Sequence, residues 1–349
     1  MKIAIFHDYF DKKGGGERLI INLARYLKAD VYTGFIDKEK TFDTKGIKVI
    51  SLGIKGPQLY RNIKIAKKFE NLKLDGYDAY IFSGVWCISA AKGHHPNVLY
   101  LHTPMRILYD LKQNFLEDAN PVKRLALNKF IKYWTPKDRA YMSLVDVIAA
   151  NSENVKRRVK KYYGTRLYKK TKVVYTGIET RKYKWKKDKG FYLSAARLDP
   201  VKRIDMIIEA FRKMPDKKLI VAGSGPDEIR LKGLARDSKN ILFLGSVSDQ
   251  KLLDLYSTCK ATIAANKDED LGLIAIESHA SGKPIIAIKE GGFLETVKDG
   301  KTGVFFRTGK ILSAVNKLEN IQWNHRYIQG TARKYDIGMF ASKILSMIH

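Results

Sequence analysis

The chain has 349 residues, 45% hydrophobic and 29% charged, enough for about two domains with full cores and too apolar for intrinsic disorder. Its 65 Lys and Arg against 36 Asp and Glu give a net charge of +29. No run approaches the roughly eighteen apolar residues of a membrane-spanning helix, and Cys87 and Cys259 fit neither a disulfide framework nor a zinc spacing, so both read as buried thiols. The charge is shared, +17 over residues 1–180 and +12 beyond. A lysine-rich solvated surface, an anionic membrane, a phosphate-rich ligand and nucleic acid all fit it.

In chain order, an apolar strand over 2–7 leads into Gly14-Gly15-Gly16-Glu17-Arg18. A helix over about 17–28 follows, with Leu19, Ile20, Leu23, Ala24 and Leu27 inward. Short apolar runs at Val31–Thr33, Val49–Leu52, Ala79–Ser83, Val98–His102 and Val147–Ala150 predict strands buried on both faces of a parallel sheet. A second series runs through Phe191–Ser194, Lys218–Ala222, Ile241–Leu244, Ala261–Ala264, Pro284–Ile288 and Gly303–Phe305, with helices at Ile204–Lys213, Ser248–Ser257 and Ile274–Ser281. This alternation predicts an α/β protein of two Rossmann-like, doubly wound parallel-sheet domains. The join falls near 176–190, inside a stretch (151–190) with 15 Lys and Arg against Glu153, Glu179 and Asp188. Such domains bind ligands beyond the carboxyl ends of their strands, so strand-end motifs are expected to line a cleft between the two.

Glu269-Asp270-Leu271-Gly272-Leu273-Ile274-Ala275-Ile276-Glu277 is the sharpest motif. Gly272 marks a helix start, so the amides of Leu271, Gly272 and Leu273 can face a phosphate, with Glu269 and Glu277 on either side for hydroxyls. A nucleotide sugar has that layout. On spacing alone, Glu269 as a helix-dipole charge and Glu277 as a solvated helix residue stay open. After strand 191–194, Arg197 and Lys202 suit two diphosphate oxyanions; a solvated basic loop is the competing reading. Gly14-Gly15-Gly16 permits close backbone approach to a ligand. It lacks the G-x-G-x-x-G spacing of a dinucleotide fold, and no P-loop is present. Asp268-Glu269-Asp270 spells an Asp-x-Asp, discounted as a metal site because it leads into the Glu269 motif.

These residues carry a resemblance. The chain resembles the retaining glycosyltransferase family 4, of two-domain GT-B fold. The matching motifs are Glu269 and Glu277 ahead of Gly282-Lys283-Pro284, then Gly291-Gly292-Phe293-Leu294-Glu295-Thr296-Val297 and Asp299-Gly300-Lys301-Thr302-Gly303. His7-Asp8, Gly14–Gly16, Leu101-His102-Thr103-Pro104-Met105-Arg106, Asn151-Ser152, Arg197 with Lys202, and Gly223-Ser224-Gly225-Pro226 match as well. They look most like the branch that builds surface polysaccharides from GDP-mannose.

The resemblance implies an acceptor-binding domain (1–178), a nucleotide-sugar-binding domain (179–331) and a last segment (332–349) crossing back to the first. It implies catalytic roles for His102, Glu269, Arg197 and Lys202, the cations gripping the diphosphate. Gly15, Gly16, Gly225, Val247, Leu271, Gly272, Leu273 and Glu277 would bind substrate, Glu277 through the ribose, with the base near Gly223–Gly225 and Gly245–Val247. No cofactor or metal is expected, since two cations can stabilise the leaving diphosphate. No carboxylate pair at the roughly 5 Å of a retaining glycosidase is evident, so the diphosphate itself would deprotonate the acceptor. His279 reads as an ordinary helix residue.

Two basic amphipathic segments suggest an anionic membrane surface. In 55–73, Leu59, Ile63, Ala66 and Phe69 stand among six basic residues; in 123–142, Leu125, Leu127, Phe130, Ile131, Tyr133 and Trp134 stand among Lys123, Arg124, Lys129, Lys132 and Lys137. Packing of these stripes on the sheet is the alternative. The expected protein is cytoplasmic, peripheral on the inner membrane face, with a nucleotide-sugar donor and a glycan or lipid-linked acceptor. Competing readings are a UDP-sugar donor, a nucleotide-sugar epimerase, against which the glutamate spacing argues, and a basic nucleic-acid-binding protein, which no motif supports.

Overall fold

The structure is a computed structural model that describes residues 1–348. The chain forms two compact units: Met1–Gly177 together with the segment from Ile337 onward, and Ile178–Asp336.

Unit 1 is built on seven parallel strands: β1 (Ile3–His7), β2 (Asp30–Thr33), β3 (Val49–Ser51), β4 (Ala79–Ser83), β5 (Asn97–Leu101), β6 (Val147–Ala150) and β7 (Thr171–Val173). Their order is β3-β2-β1-β4-β5-β6-β7. Every residue of β1, β4 and β5 is buried, as expected of strands covered on both faces. Side chains alternate across the sheet. Phe6, Phe82 and Leu99 share one core with Phe69 of helix Gln58–Glu70 and Trp134 of helix Pro121–Ser143. Ile5, Ile81 and Tyr100 share the other with Ile20 and Leu23 of helix Gly15–Leu27. Phe340, Ala341 and Ile344 of helix Ile337–Leu345 complete that second core.

Unit 2 has six parallel strands: β8 (Phe191–Ala195), β9 (Lys218–Ala222), β10 (Ile241–Gly245), β11 (Ala261–Ala264), β12 (Ile285–Ile288) and β13 (Gly303–Phe306), in the order β10-β9-β8-β11-β12-β13. Strand order therefore reverses between β1 and β4 in unit 1 and between β8 and β11 in unit 2. Those reversals are where doubly wound sheets open a crevice at their carboxyl ends.

The structure departs from the sequence reading in three places. β7 went unread because Thr171-Lys172-Val173 is a short edge strand inside a lysine-rich run. Residues 332–336 stay with unit 2, pinned by Ile178 N–H on the Tyr335 carbonyl (2.8 Å) and the Thr180 hydroxyl on Asp336 (2.5 Å). Helix Gln58–Glu70 buries Asn62, Ile65, Ala66 and Phe69, leaving Leu59 exposed. Cys87 and Cys259 are buried free thiols.

At the amino ends of β8, β9 and β11, Glu319 accepts from Lys217 Nζ (2.8 Å), Lys260 Nζ (2.5 Å) and Tyr192 Oη (2.9 Å). Burial pushes its carboxyl up, and the three donors outweigh that, bringing it down to about 2 from 4.5. A depressed carboxylate stabilises the fold above its unfolded value, and that contribution is lost as pH falls from there toward the folded value. The stability advantage of the native protein over Glu319→Gln, measured by urea denaturation, should shrink by about 2 kcal/mol between about pH 5 and pH 2. An advantage that stays flat with pH would show that the three contacts contribute nothing.

Candidate functional site

In unit 1 the register pairs His7 with Ser83, so both stand at the strand-order reversal. His7 donates Nδ1–H to the Ser83 carbonyl (2.6 Å), and the Ser83 hydroxyl meets His102 Nε2 at 2.9 Å just beyond β5. Burial lowers both imidazoles, His7 to about 3 and His102 to about 4, so both are neutral near pH 7. Gly16 lies over His102, where an added Cβ would sit 3.6 Å from its Cε1. Gly15 and Gly16 begin helix Gly15–Leu27, whose N-cap Gly14 offers no side-chain cap, leaving first-turn N–H groups without intrahelical acceptors.

Asp8 organises the neighbouring turn. Its carboxylate accepts the N–H groups of Val85 (2.8 Å), Trp86 (2.9 Å) and Cys87 (2.8 Å), and any side chain at Gly84 would run into it. Thr103 is held by the buried Arg158, whose Nη1 donates to its hydroxyl at 2.6 Å.

In unit 2, Lys202 ends the short turn Pro200–Lys202 after β8, and its Nζ lies 2.7 Å from Glu269 Oε2. Asn266, just past β11, donates its side-chain amide to the same oxygen. The two side chains are only 24% and 18% exposed. Burial pulls the Lys202 ammonium down, and the charge and hydrogen bond of Glu269 outweigh it and raise it. Backbone contacts fix both partners: Lys267 N–H binds the Val201 carbonyl (2.8 Å), and Gly292 N–H binds the Glu269 carbonyl (2.7 Å). Gly291 (φ +56°) and Gly292 press on this loop, with Gly292's missing Cβ directed at the Asp270 carbonyl, 2.5 Å away. Only residues without a side chain fit there.

Gly272 takes a left-handed conformation (φ 85°) as N-cap of helix Leu273–Ala280. Leu271 beside it is buried and Leu273 half-buried. Glu277 is gripped at both oxygens, by Tyr183 Oη (2.9 Å) and Tyr256 Oη (2.6 Å). Arg197 is mostly exposed and pairs with Asp199 at 3.1 Å. The loops after β8, β9 and β10 adjoin: Leu198 N–H binds the Ser224 carbonyl (3.0 Å), Gly223 N–H the Gly245 carbonyl (2.8 Å), and Ser224 and Ser246 share a hydroxyl contact (2.7 Å). Gly225 sits against the Leu198 backbone, and Val247 is half-buried.

Among the residues singled out in sequence, the structure thus joins Lys202 with Glu269 and Gly16 with His102, each pair within one unit. Arg197 and Lys202 pair with different carboxylates, Asp199 and Glu269. Sequence reasoning missed Ser83, Asn266, Tyr183, Tyr256 and Arg158. Tyr183 and Tyr256 lie 94 and 21 residues from Glu277 and carry no local signal. His279, read as an ordinary helix residue, lies in helix Leu273–Ala280. It is buried, its Nε2 lies 3.0 Å from the Thr302 carbonyl, and burial lowers it to about 4.

A doubly wound unit with a lysine–glutamate pair and an uncapped glycine turn at its strand-order reversal has the build of a nucleotide-ligand enzyme. A model described as Glycosyltransferase Family 4 matches residues 13–182, and one described as Glycosyl transferases group 1 matches 177–334. The chain belongs to glycosyltransferase family 4, with the GT-B fold.

It is 33% identical over 130 residues to the GDP-mannose-dependent alpha-(1-6)-phosphatidylinositol monomannoside mannosyltransferase of Mycolicibacterium smegmatis, covering 33% of this chain and 34% of that protein. It is 26% identical over 167 residues to the sulfoquinovosyl transferase SQD2 of Arabidopsis thaliana, covering 45% of this chain and 32% of that protein. The chain thus spans about a third of the length of these curated relatives. Its fold superposes on Anabaena HepE in complex with UDP-glucose with a TM-score of 0.72, at 18% identity, over 99% of each chain.

Proposed function

We propose that the protein transfers a hexose, mannose from GDP-mannose, to a glycan or lipid-linked acceptor with retention of configuration. The observation that carries the reading is the Lys202–Glu269–Asn266 contact on a glycine-backed loop at the carboxyl ends of β8 and β11. In this reading Lys202 and Arg197 hold the diphosphate, and the amides of Leu271, Gly272 and Leu273 meet its oxygens. Glu277, already oriented by Tyr183 and Tyr256, takes the ribose hydroxyls, while Gly225 and Val247 border the base. Glu269 holds the sugar. In unit 1, the motif resemblance assigns substrate binding to Gly15 and Gly16 and a catalytic role to His102.

The bond from C1 to the diphosphate oxygen breaks as the acceptor oxygen bonds C1 on the same face. The acceptor's proton passes to the departing phosphate. Lys202 and Arg197 offset the charge that grows there, so no metal is invoked.

The GDP-mannose assignment is supported by the motif resemblance and by what the Mycolicibacterium relative's name says of that protein; UDP-glucose bound to the Anabaena neighbour keeps a UDP-sugar as the alternative. Thermal denaturation with GDP, UDP, ADP and their sugar conjugates, without and then with divalent metal, tests the reading. Selective stabilisation by GDP and GDP-mannose, about 2.7 kcal/mol at a hundredfold excess over Kd, is expected. A UDP preference would move the donor, and no response to any nucleotide would overturn the reading.

An anionic membrane face is part of this proposal. Helix Pro121–Ser143 exposes Val122 (80%), Leu125 (60%) and Tyr133 (54%) among exposed Lys123, Arg124, Lys129 and Lys132. Helix Gln58–Glu70 exposes Leu59 and Tyr60 beside Lys64, Lys67 and Lys68. Mixed apolar and cationic surface of this kind suits the headgroup region. The protein should co-sediment with vesicles containing anionic lipid and not with purely zwitterionic ones. Leu125→Glu should weaken that binding severalfold, and binding indifferent to lipid charge and to salt would sink the idea. No helix among the described residues is long and apolar enough to cross a membrane.

A further inference from the structure

We infer that Ser83 is a positioning residue that sets the tautomers of two histidines, so that His102 presents an Nδ1–H donor to a bound hydroxyl or ring oxygen and does not act as a base. Ser83 is fully buried on β4 and turns its carbonyl and its hydroxyl to imidazoles. A carbonyl can only accept, so the 2.6 Å contact puts the His7 proton on Nδ1 and leaves a lone pair on Nε2. That Nε2 is buried and meets no donor among the described residues.

The second contact is ambiguous by distance alone and is settled by what the hydroxyl can do with its hydrogen. Among the described residues, His102 Nε2 is the one hydrogen-bond partner of the Ser83 hydroxyl. If Nε2 carried the proton, the serine would accept it and its own O–H would be buried without an acceptor, a costly arrangement. With the serine donating, its hydroxyl and His102 Nε2 are both satisfied and the His102 proton sits on Nδ1. Nδ1 has no protein partner and is not among the buried unsatisfied atoms, so it faces solvent and is available to a ligand. Burial keeps the ring neutral, which supports a donor of no net charge, matched to a sugar oxygen and not to a phosphate.

What that donor meets rests on the transferase reading; the tautomers do not. The full-length, ligand-free protein with 15N-labelled histidine is read by long-range proton–nitrogen correlation. His7 and His102 are each expected with Nδ1 protonated and Nε2 bare, and in Ser83→Ala the His102 signals should move toward a tautomer mixture while His7 keeps its own. A His102 protonated at Nε2, or unmoved by Ser83→Ala, overturns the inference whatever the activity.

In transfer assays Ser83→Ala should lower kcat/KM about tenfold without changing thermal stabilisation by the nucleotide. His102→Asn, whose amide can stand near Nδ1, should retain several times more activity than His102→Gln, and the reverse order would refute the donor role. Predicted tautomers in a protein that no nucleotide sugar stabilises would refute the transferase reading and leave the tautomer assignment intact.

Discussion

Lys202→Ala should lower kcat/KM for glycosyl transfer by about a hundred- to a thousandfold, the loss of roughly 2.7–4 kcal/mol that follows removal of one preorganised charge-stabilising donor. Preorganisation is visible before any ligand arrives. The ammonium is held by Glu269 at 2.7 Å, and the loop carrying Glu269 is fixed by Asn266, Gly291 and Gly292. In the proposed reading a diphosphate would meet a positioned cation and not a lysine free to sweep through solvent, which is why Lys202→Arg should rescue only partly. Alanine leaves a half-buried carboxylate with one donor fewer, costing about 1–2 kcal/mol of stability. Equal kcat/KM in the two proteins, or a loss no larger than the drop in folded fraction at the assay temperature, would remove Lys202 from the chemistry.

Gly223→Ala should be the most damaging small substitution in unit 2. Gly223 has φ +135°, and an added Cβ would lie on the Ala196 carbonyl oxygen. The obstacle is backbone, so no side chain can rotate away. Ala196 N–H and Gly223 N–H already bind the Ala222 and Gly245 carbonyls at 3.1 and 2.8 Å. Relief would have to separate the ends of β8, β9 and β10. Strain of this kind costs about 3 kcal/mol or more, a fall in Tm of about 6–12 °C for a unit this size, and nucleotide stabilisation should vanish with it. Gly330→Ala, in helix His325–Thr331 with nothing within 4 Å of the added carbon, is the matched control and should raise Tm slightly. Similar behaviour of the two variants would refute the steric argument.

The strands and the loops after them were legible because β1, β4, β5, β8, β11 and β12 are continuous apolar runs closed by polar or glycine residues. Glu269 and Lys202 could be picked out for the same reason, each standing where such a run ends. What holds them was not legible. Tyr183 and Tyr256 reach Glu277 only through the fold, and Ser83 is an ordinary strand-ending serine until parallel register sets it beside His7 and within reach of His102. The amphipathic stripes were visible but misphased. In helix Gln58–Glu70 the buried face runs through Asn62 and Ile65, and a polar residue on the inner face disguised the period.

Unit 2 is one uninterrupted stretch, Ile178–Asp336, whereas unit 1 is written in two pieces on either side of it. A ribosome therefore completes unit 2 while the sheet face bearing Tyr100 still lacks Phe340, which will meet its ring edge-on at 4.8 Å. Gly177 also waits for this helix, since its Cα leaves room for Phe340 where any Cβ would sit 2.7 Å from Phe340 Cβ. Translation that stops before Ile337 leaves a finished second unit joined to a first whose apolar face is open to water. Once helix Ile337–Leu345 is made, Phe340, Ala341 and Ile344 close that face.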